Sequence, residues 1–156
     1  MDFVKALLDD LESIFNIDKN RIYACGFSNG AQFSYRLAQQ LSDRVAAIST
    51  IAGHRSAESY FGPPPRPISI MQFSGLQDKL APYYGGVPPE KSGPVTLDFK
   101  FEMEPAKEVV MSWVRHNGCP DQPIETKRIG RAVMERYGPG KDNTEVILWT
   151  DRKSVV

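Results

Sequence analysis

The sequence has 156 residues, of which 41% are hydrophobic and 24% are charged, a composition typical of one globular domain with its own core. Nineteen Lys and Arg residues balance nineteen Asp and Glu residues, so the net charge gives no electrostatic attraction for nucleic acids or anionic membranes. We therefore expect neither a nucleic-acid partner nor a membrane partner, and no apolar run is long enough to cross a bilayer.

Apolar residues at helical spacing predict a helix over Asp2 to Phe15. Ile22 to Cys25 is a short apolar run typical of a buried strand, and Ala31 to Leu41 returns to helical spacing. Two further strands are predicted at Val45 to Ile51 and at Pro67 to Phe73. Because a domain of parallel strands rarely begins with a crossover helix, we expect an earlier strand to be missing from this sequence.

The second half of the chain begins with a long loop, Ala81 to Pro94, rich in Pro, Gly and Tyr. Val95 to Met103 alternates apolar and polar residues, which suits a half-buried strand, a lid or an interface strand equally. A helix over Glu104 to Asn117 should end at Gly118. Finally, Ala132 to Tyr137 and Thr144 to Thr150 flank a turn-rich segment and predict a hairpin. Strands alternating with helices thus predict an α/β fold with a mostly parallel sheet of about four to five strands.

The two cysteines, Cys25 and Cys119, are too few for a disulfide framework, and neither has a metal-type spacing to the two histidines. Cys25 is interpreted as a small buried hydrophobe, whereas Cys119 could be a free thiol or could pair between chains. Neither a phosphate loop nor a metal-ligand cluster is present, so we expect no cofactor and no metal. The first residues show no secretory signal, which by default favours a cytoplasmic protein.

The most informative stretch is Gly26-Phe27-Ser28-Asn29-Gly30, which lies between the first predicted strand and the second helix. It matches the G-x-S-x-G pattern, in which a sharp turn presents a serine hydroxyl and glycines leave room for the crossing backbone. Ser28 is therefore the candidate nucleophile, and the Asn29 amide at the helix N-terminus is a candidate oxyanion donor, with Phe27 beside it. The alternative is a glycine-rich turn with an inert serine.

Asp78 follows the strand Pro67 to Phe73, where a serine hydrolase keeps the carboxylate that orients its histidine. The alternative for Asp78 is a loop residue that caps a turn. Of the two histidines, His54 follows the strand that ends near Gly53, at the same sheet edge as Ser28 and Asp78, so it is the better candidate for the base. His116 is interpreted as a surface residue near the negative end of its helix.

These motifs, together with Pro82-Tyr83, Asn117-Gly118-Cys119 and Tyr137-Gly138-Pro139, resemble the polyhydroxybutyrate depolymerase and feruloyl esterase group of α/β-hydrolases. The resemblance implies Ser28 as nucleophile, Asp78 as acid and Asn29 as one oxyanion donor. It also implies that residues 1–156 form a single domain, the C-terminal half of the family fold. The family's earlier strands, its His-Gly oxyanion loop and its Gly-Gly-His-x-Trp-Pro segment have no match here, and the cysteine that often pairs with the equivalent of Cys119 is absent too.

Three hypotheses follow from this resemblance. The first is a serine carboxylic-ester hydrolase, minimal or impaired, acting on small or polymeric acyl esters of short-chain, feruloyl or hydroxyalkanoate type. The second is a non-catalytic remnant that serves as an oligomerising or ligand-binding domain. The third is a truncated secreted esterase, since family members are often secreted. Because the strand before Ser28 would normally have a neighbour on its other side, we also predict a homo-oligomer through an exposed sheet edge.

Overall fold

The computed structural model of the protein describes residues 1–56, 59, 62–92, 95–96 and 101–153. In chain order its elements are α1 (Asp2–Ile14), β1 (Tyr23–Phe27), α2 (Asn29–Gln40), β2 (Ala47–Ile51), β3 (Ser69–Gly75), β4 (Lys91–Ser92), β5 (Val95–Thr96), α3 (Ala106–Asn117), β6 (Glu125–Ile129), β7 (Ala132–Tyr137) and β8 (Val146–Asp151). The predicted helices and most predicted strands are confirmed, with boundaries that shift by a few residues.

Six strands form one sheet in the order β1-β2-β3-β8-β7-β6. The first four strands in this order are parallel, whereas β7 and β6 form antiparallel pairs beside β8. The expectation of a mostly parallel sheet with four to five strands was therefore wrong, because the sheet is mixed and has six strands. The predicted hairpin is confirmed as the β7–β8 pair.

Within the six-stranded sheet, the strand that the sequence did not reveal is β6, whose residues Glu-Thr-Lys-Arg-Ile are all exposed. The short strand β4 was also missed, because it lies inside the predicted loop Ala81 to Pro94. An edge strand with both faces in solvent has no alternation of apolar and polar residues, so the hydrophobic pattern gives no signal for it. The segment Val95 to Met103 lies partly outside the described residues. Its first two residues form β5, which pairs with β4, and Met103 forms bridges with Ser56 and Gly86.

The core lies on one face of the sheet, between the strands and two helices. α2 packs against β1 and β2, and α3 packs against β8 and β3. Both helices belong to one buried cluster with the inward side chains of the strands, and the rings of Tyr35 and Trp113 stack within it at 6.1 Å. The strands of the sheet contribute Ile48, Ile70, Tyr137, Val146 and Leu148 to this cluster. Gly118 ends α3 in the left-handed conformation, as predicted.

The opposite face of the sheet, which we call the open face, has a different character. The side chains of β1 that point there, Tyr23, Cys25 and Phe27, are exposed, and β1 is itself an edge strand. Cys25 is therefore not the buried hydrophobe that the apolar run suggested, because it lies on the uncovered side of the outermost strand. Further along the open face, Phe73 and Trp149 stack in parallel planes at 6.2 Å.

Among the described helices, none combines the length and the hydropathy needed to cross a membrane.

Candidate active site

Ser28 stands between the end of β1 and the start of α2, in a strained backbone conformation. Its φ of 54° and ψ of −118° lie in a region that L-residues other than glycine rarely occupy. The backbone on both sides holds it there, because its N–H donates to the Ile51 carbonyl at 2.9 Å and its carbonyl accepts from Ala31 N–H at 2.9 Å. The side chain is exposed at this sharp turn. This is the strand-to-helix geometry that projects a nucleophile from a sheet.

Two glycines allow the backbone to make this turn. A Cβ on Gly26 would lie 2.0 Å from the Gly30 carbonyl oxygen, and a Cβ on Gly53 would lie 2.5 Å from the Ser28 carbonyl oxygen. Both distances are far inside van der Waals contact, so α2 and the loop after β2 approach the turn more closely than any side chain permits. Gly30 has nothing within 4 Å of its Cβ position. The first glycine of the motif is therefore required by packing, and the second is not.

Asn29 is the first residue of α2 and is exposed, as is the neighbouring Phe27, whose side chain is 52% accessible. The first N–H groups of a helix have no partner within it, and the positive end of the helix dipole lies beside them. Asn29 therefore lies at the end of α2 whose polarity favours a developing oxyanion.

Asp78 is buried in the loop after β3, with 5% of its surface exposed. Its Oδ1 accepts hydrogen bonds from the backbone N–H groups of Leu80 and Ala81, both at 2.9 Å, whereas its Oδ2 is buried and has no hydrogen-bond partner. The turn-capping alternative accounts for the first oxygen. It leaves unexplained the second, since a buried carboxylate oxygen is normally paired.

His54 follows β2 and is completely buried. Neither ring nitrogen has a hydrogen bond of standard geometry, although the backbones of Glu104 and Pro82 lie close enough to favour the protonated ring, and the ring is not bonded to the Ser28 hydroxyl. Burial lowers the pKa of His54 to about 4, and the nearby Glu104 and Asp78 offset this only in part. The imidazole is therefore neutral at pH 7, which is the state a general base requires.

The loops that carry Ser28, His54 and Asp78 leave the carboxyl ends of three adjacent parallel strands, β1, β2 and β3. These ends meet at one edge of the sheet, which is where α/β proteins place their chemistry. His116 lies elsewhere, in the last turn of α3, where its ring packs edge-on against Trp113. Within the described residues, no group of three His, Cys, Asp or Glu side chains could hold a metal ion.

An ion pair that the sequence did not suggest lies near the sheet edge where the loops of Ser28, His54 and Asp78 meet. The Arg55 guanidinium donates to both carboxylate oxygens of Glu104, at 2.6 and 2.8 Å. The pair joins the loop after β2 to the residues just before α3, and 49 positions of sequence separate its members. No local pattern signals a contact over that separation, so sequence analysis missed it.

Taken together, a parallel strand, a strained serine and a helix form a turn like the one that carries the nucleophile in α/β-hydrolases. The sequence is similar to those of known esterases. It is 32% identical over 127 residues to feruloyl esterase B of Piromyces equi, which is 79% of this chain and 23% of that protein. It is 27% identical over 142 residues to probable feruloyl esterase C of Aspergillus niger, covering 89% of this chain and 44% of that protein.

A third relative is a bifunctional acetylxylan esterase/xylanase of Neocallimastix patriciarum, 30% identical over 83 residues, or 52% of this chain and 12% of that protein. The chain thus spans less than half of the length of each of these relatives. No protein-family model matches the sequence. All three relatives are named as esterases, and their similarity to this chain supports a hydrolase fold.

Proposed function

We propose that this chain carries the nucleophile and the acid of a serine carboxylic-ester hydrolase that forms an acyl-enzyme on Ser28. The observation that carries the proposal is the backbone of Ser28, held at positive φ by hydrogen bonds on both sides. Such strain persists where the surrounding structure enforces it, and it is a feature of functional sites. The similarity to esterases over most of this chain supports the same reaction.

In the proposed reaction, Ser28 Oγ attacks the ester carbonyl carbon while a base takes its proton. The Asn29 backbone N–H donates a hydrogen bond to the oxyanion, and the alcohol leaves with the proton that the base returns. Water then hydrolyses the acyl-serine. Phe27, exposed beside the turn, offers an apolar contact for the acyl group.

His54 is the proposed base of the chain as it stands, and Asp78 is the acid that orients it. Their loops leave neighbouring strands, the carboxylate of Asp78 acts on the His54 pKa, and Asp78 Oδ2 has an unfilled hydrogen-bonding position. For catalysis the His54 ring has to reach the Ser28 hydroxyl, which requires the loop after Gly53 to move. Feruloyl, short-chain acyl and hydroxyalkanoate esters are the proposed substrates, the first because two relatives are named for feruloyl esters.

The second candidate function is a hydrolase remnant that binds ligands or assembles without catalysis. It is favoured by one observation, namely that neither nitrogen of the buried His54 contacts the Ser28 hydroxyl. A serine without a base is a weak nucleophile at neutral pH.

The test is hydrolysis of p-nitrophenyl acetate and methyl ferulate, with intact mass recorded during turnover, for wild type, Ser28→Ala and His54→Ala. We expect an acyl adduct on the wild type and a rate for Ser28→Ala that is lower by about three orders of magnitude. The matched control is Ser13→Ala, because Ser13 is exposed on α1 and its hydroxyl bonds only to the Asp10 carbonyl at 2.7 Å among the described contacts.

A wild-type rate equal to that of Ser28→Ala, with no acyl adduct, would reject the esterase hypothesis in favour of the non-catalytic remnant. Loss of activity in Ser28→Ala but not in His54→Ala would keep the nucleophile and reject His54 as the base.

A further inference from the structure

The hairpin of β6 and β7 carries a group of positive charges at its tip. Lys127, Arg128 and Arg131 lie close together in the sequence, and no acidic residue occurs between Thr126 and Ala132. All three cationic side chains are exposed. The chain as a whole has no net charge, so the positive charge at this tip is a local concentration that the total composition conceals.

Two further cations lie beside the tip. β8 pairs with β7 so that Asp151 is opposite Ala132, and Arg152 and Lys153 follow Asp151 with exposed side chains. Arg131 Nε lies 3.7 Å from Asp151 Oδ1, whereas the other four cations form no ion pair within the part of the chain that the structure describes. We call these five cations the basic tip: Lys127, Arg128, Arg131, Arg152 and Lys153.

Protection of an edge strand does not account for this arrangement. Charged side chains on an edge strand hinder pairing with another chain, and β6 has both signs of charge. Its acidic residue, Glu125, lies at the end away from the tip, where its Oε2 is 3.6 Å from Arg136 Nε. At the tip itself, five cations are near one carboxylate, that of Asp151. Such an excess of one sign attracts ligands of the opposite charge.

The basic tip lies at the sheet edge that carries the proposed active site. β3 and β8 are parallel with Gly75 opposite Asp151, and the Asp151 carbonyl accepts a hydrogen bond from Leu76 N–H at 2.8 Å. Asp78 follows Leu76 by two positions. Neighbouring strands are about 4.8 Å apart, so the cations of β6 and those after β8 are separated by about 10 Å. A small anion cannot contact both groups, whereas a polymer with charges repeated along its length can.

We propose that the basic tip binds a polysaccharide that bears carboxylate groups and, resting on the proposed function, that this polymer carries the ester presented to Ser28. Three of the five cations are arginines, whose guanidinium groups bind carboxylates in a bidentate manner. Single-stranded nucleic acid is a poorer match, because residues 125–131 and 151–153 contain no aromatic side chain for base stacking. A lipid surface is also a poorer match, because Ile129 is the one large apolar residue of these segments and interfacial binding uses a broad apolar face.

The experiment measures binding with the Ser28→Ala protein, in which the loss of the nucleophile keeps ester groups of the probe intact. The probe is polygalacturonate, and its matched control is the fully methyl-esterified polymer, the same chain without its charges. Isothermal titration calorimetry at low salt should show saturable binding to polygalacturonate, at least about tenfold tighter than to the methyl ester. Raising NaCl from about 0.02 M to about 0.5 M should weaken this binding by at least about tenfold, because salt screens exposed charges.

Charge reversal assigns the binding to the tip. Arg128→Glu should weaken binding of polygalacturonate by at least about tenfold, and Lys127→Glu provides a second variant with the same expectation. The matched control is Lys5→Glu, because Lys5 is an exposed residue of α1 and the net charge changes by the same amount. With Ser28 present, Arg128→Glu should hydrolyse the small substrate methyl ferulate at the wild-type rate.

Three results would overturn the proposal: equal binding of the two polymers, equal effects of Arg128→Glu and Lys5→Glu, or tighter binding of oligothymidylate or of phosphatidylserine vesicles than of polygalacturonate. Failure of the proposed function gives a different result. Binding that needs the basic tip, without any Ser28-dependent hydrolysis of methyl ferulate, would keep the binding surface and reject the esterase.

Discussion

Replacing Gly26 and Gly30 by alanine, one at a time, tests which glycine of the G-x-S-x-G motif is required by close packing. In Gly26→Ala the new Cβ would lie 2.0 Å from the Gly30 carbonyl oxygen and 2.7 Å from the Ala31 nitrogen. These are backbone atoms of the first turn of α2, so the strand and the helix must separate by about 1.4 Å to reach ordinary contact at 3.4 Å. Overpacking of this kind costs about 1–3 kcal/mol, and more where the neighbours cannot move.

Gly30→Ala is the matched control, because a Cβ at position 30 meets nothing within 4 Å. Position 30 lies in α2, where alanine is favoured over glycine by up to about 1 kcal/mol. We therefore expect Gly30→Ala to be neutral or stabilising, and the free energies of unfolding of the two variants to differ by about 1–4 kcal/mol.

The assay is urea denaturation followed by tryptophan fluorescence and circular dichroism, since Trp113 is buried in the core and reports its loss. Failure of Gly26→Ala to fold while Gly30→Ala folds would agree with the expectation. Equal stability of both variants and the wild type would refute the close approach of α2 to β1, and with it the strained turn at Ser28.

Two further predictions concern the buried groups at the same edge. The pKa of His54 falls from 6.5 to about 4 on folding because the ring is buried, so the unfolded chain binds the proton more readily between these pH values. The contribution of neutral His54 to the free energy of unfolding is complete above pH 6.5 and is lost on acidification towards pH 4, about 3 kcal/mol in all. The free energy of unfolding, measured by denaturation at several pH values, should therefore fall more in wild type than in His54→Gln. An equal fall in both proteins would disprove the prediction. Asp78→Asn keeps an oxygen for the N–H groups of Leu80 and Ala81 and should change stability by less than about 1 kcal/mol, while esterase activity falls by at least about 100-fold if the carboxylate orients the base. Unchanged activity in this variant would leave Asp78 as a turn cap alone.

Much of the fold was predictable because its signals are local. The helical spacing of α2 and α3 and the apolar runs of β1, β2 and β3 each lie within one element. The spacing of Gly26 and Gly30 around Ser28 likewise predicts the strand-to-helix turn, because the motif is local in the sequence. β6 escaped prediction because an exposed edge strand needs no hydrophobic periodicity, and Cys25 was misassigned because an apolar residue in an apolar run does not reveal which face is covered.

By itself, the sequence determined the three helices, the order of strands β1, β2, β3, β7 and β8, the serine turn and the placement of Ser28, His54 and Asp78 after successive strands. Each of these depends on residues that are neighbours in the chain. The tertiary structure alone decided that the sheet is mixed, that Arg55 pairs with Glu104, and that His54 is buried without a bond to the Ser28 hydroxyl. Strand order, burial and long-range ion pairs are set by how distant segments pack together, and that information does not exist in any local stretch of residues.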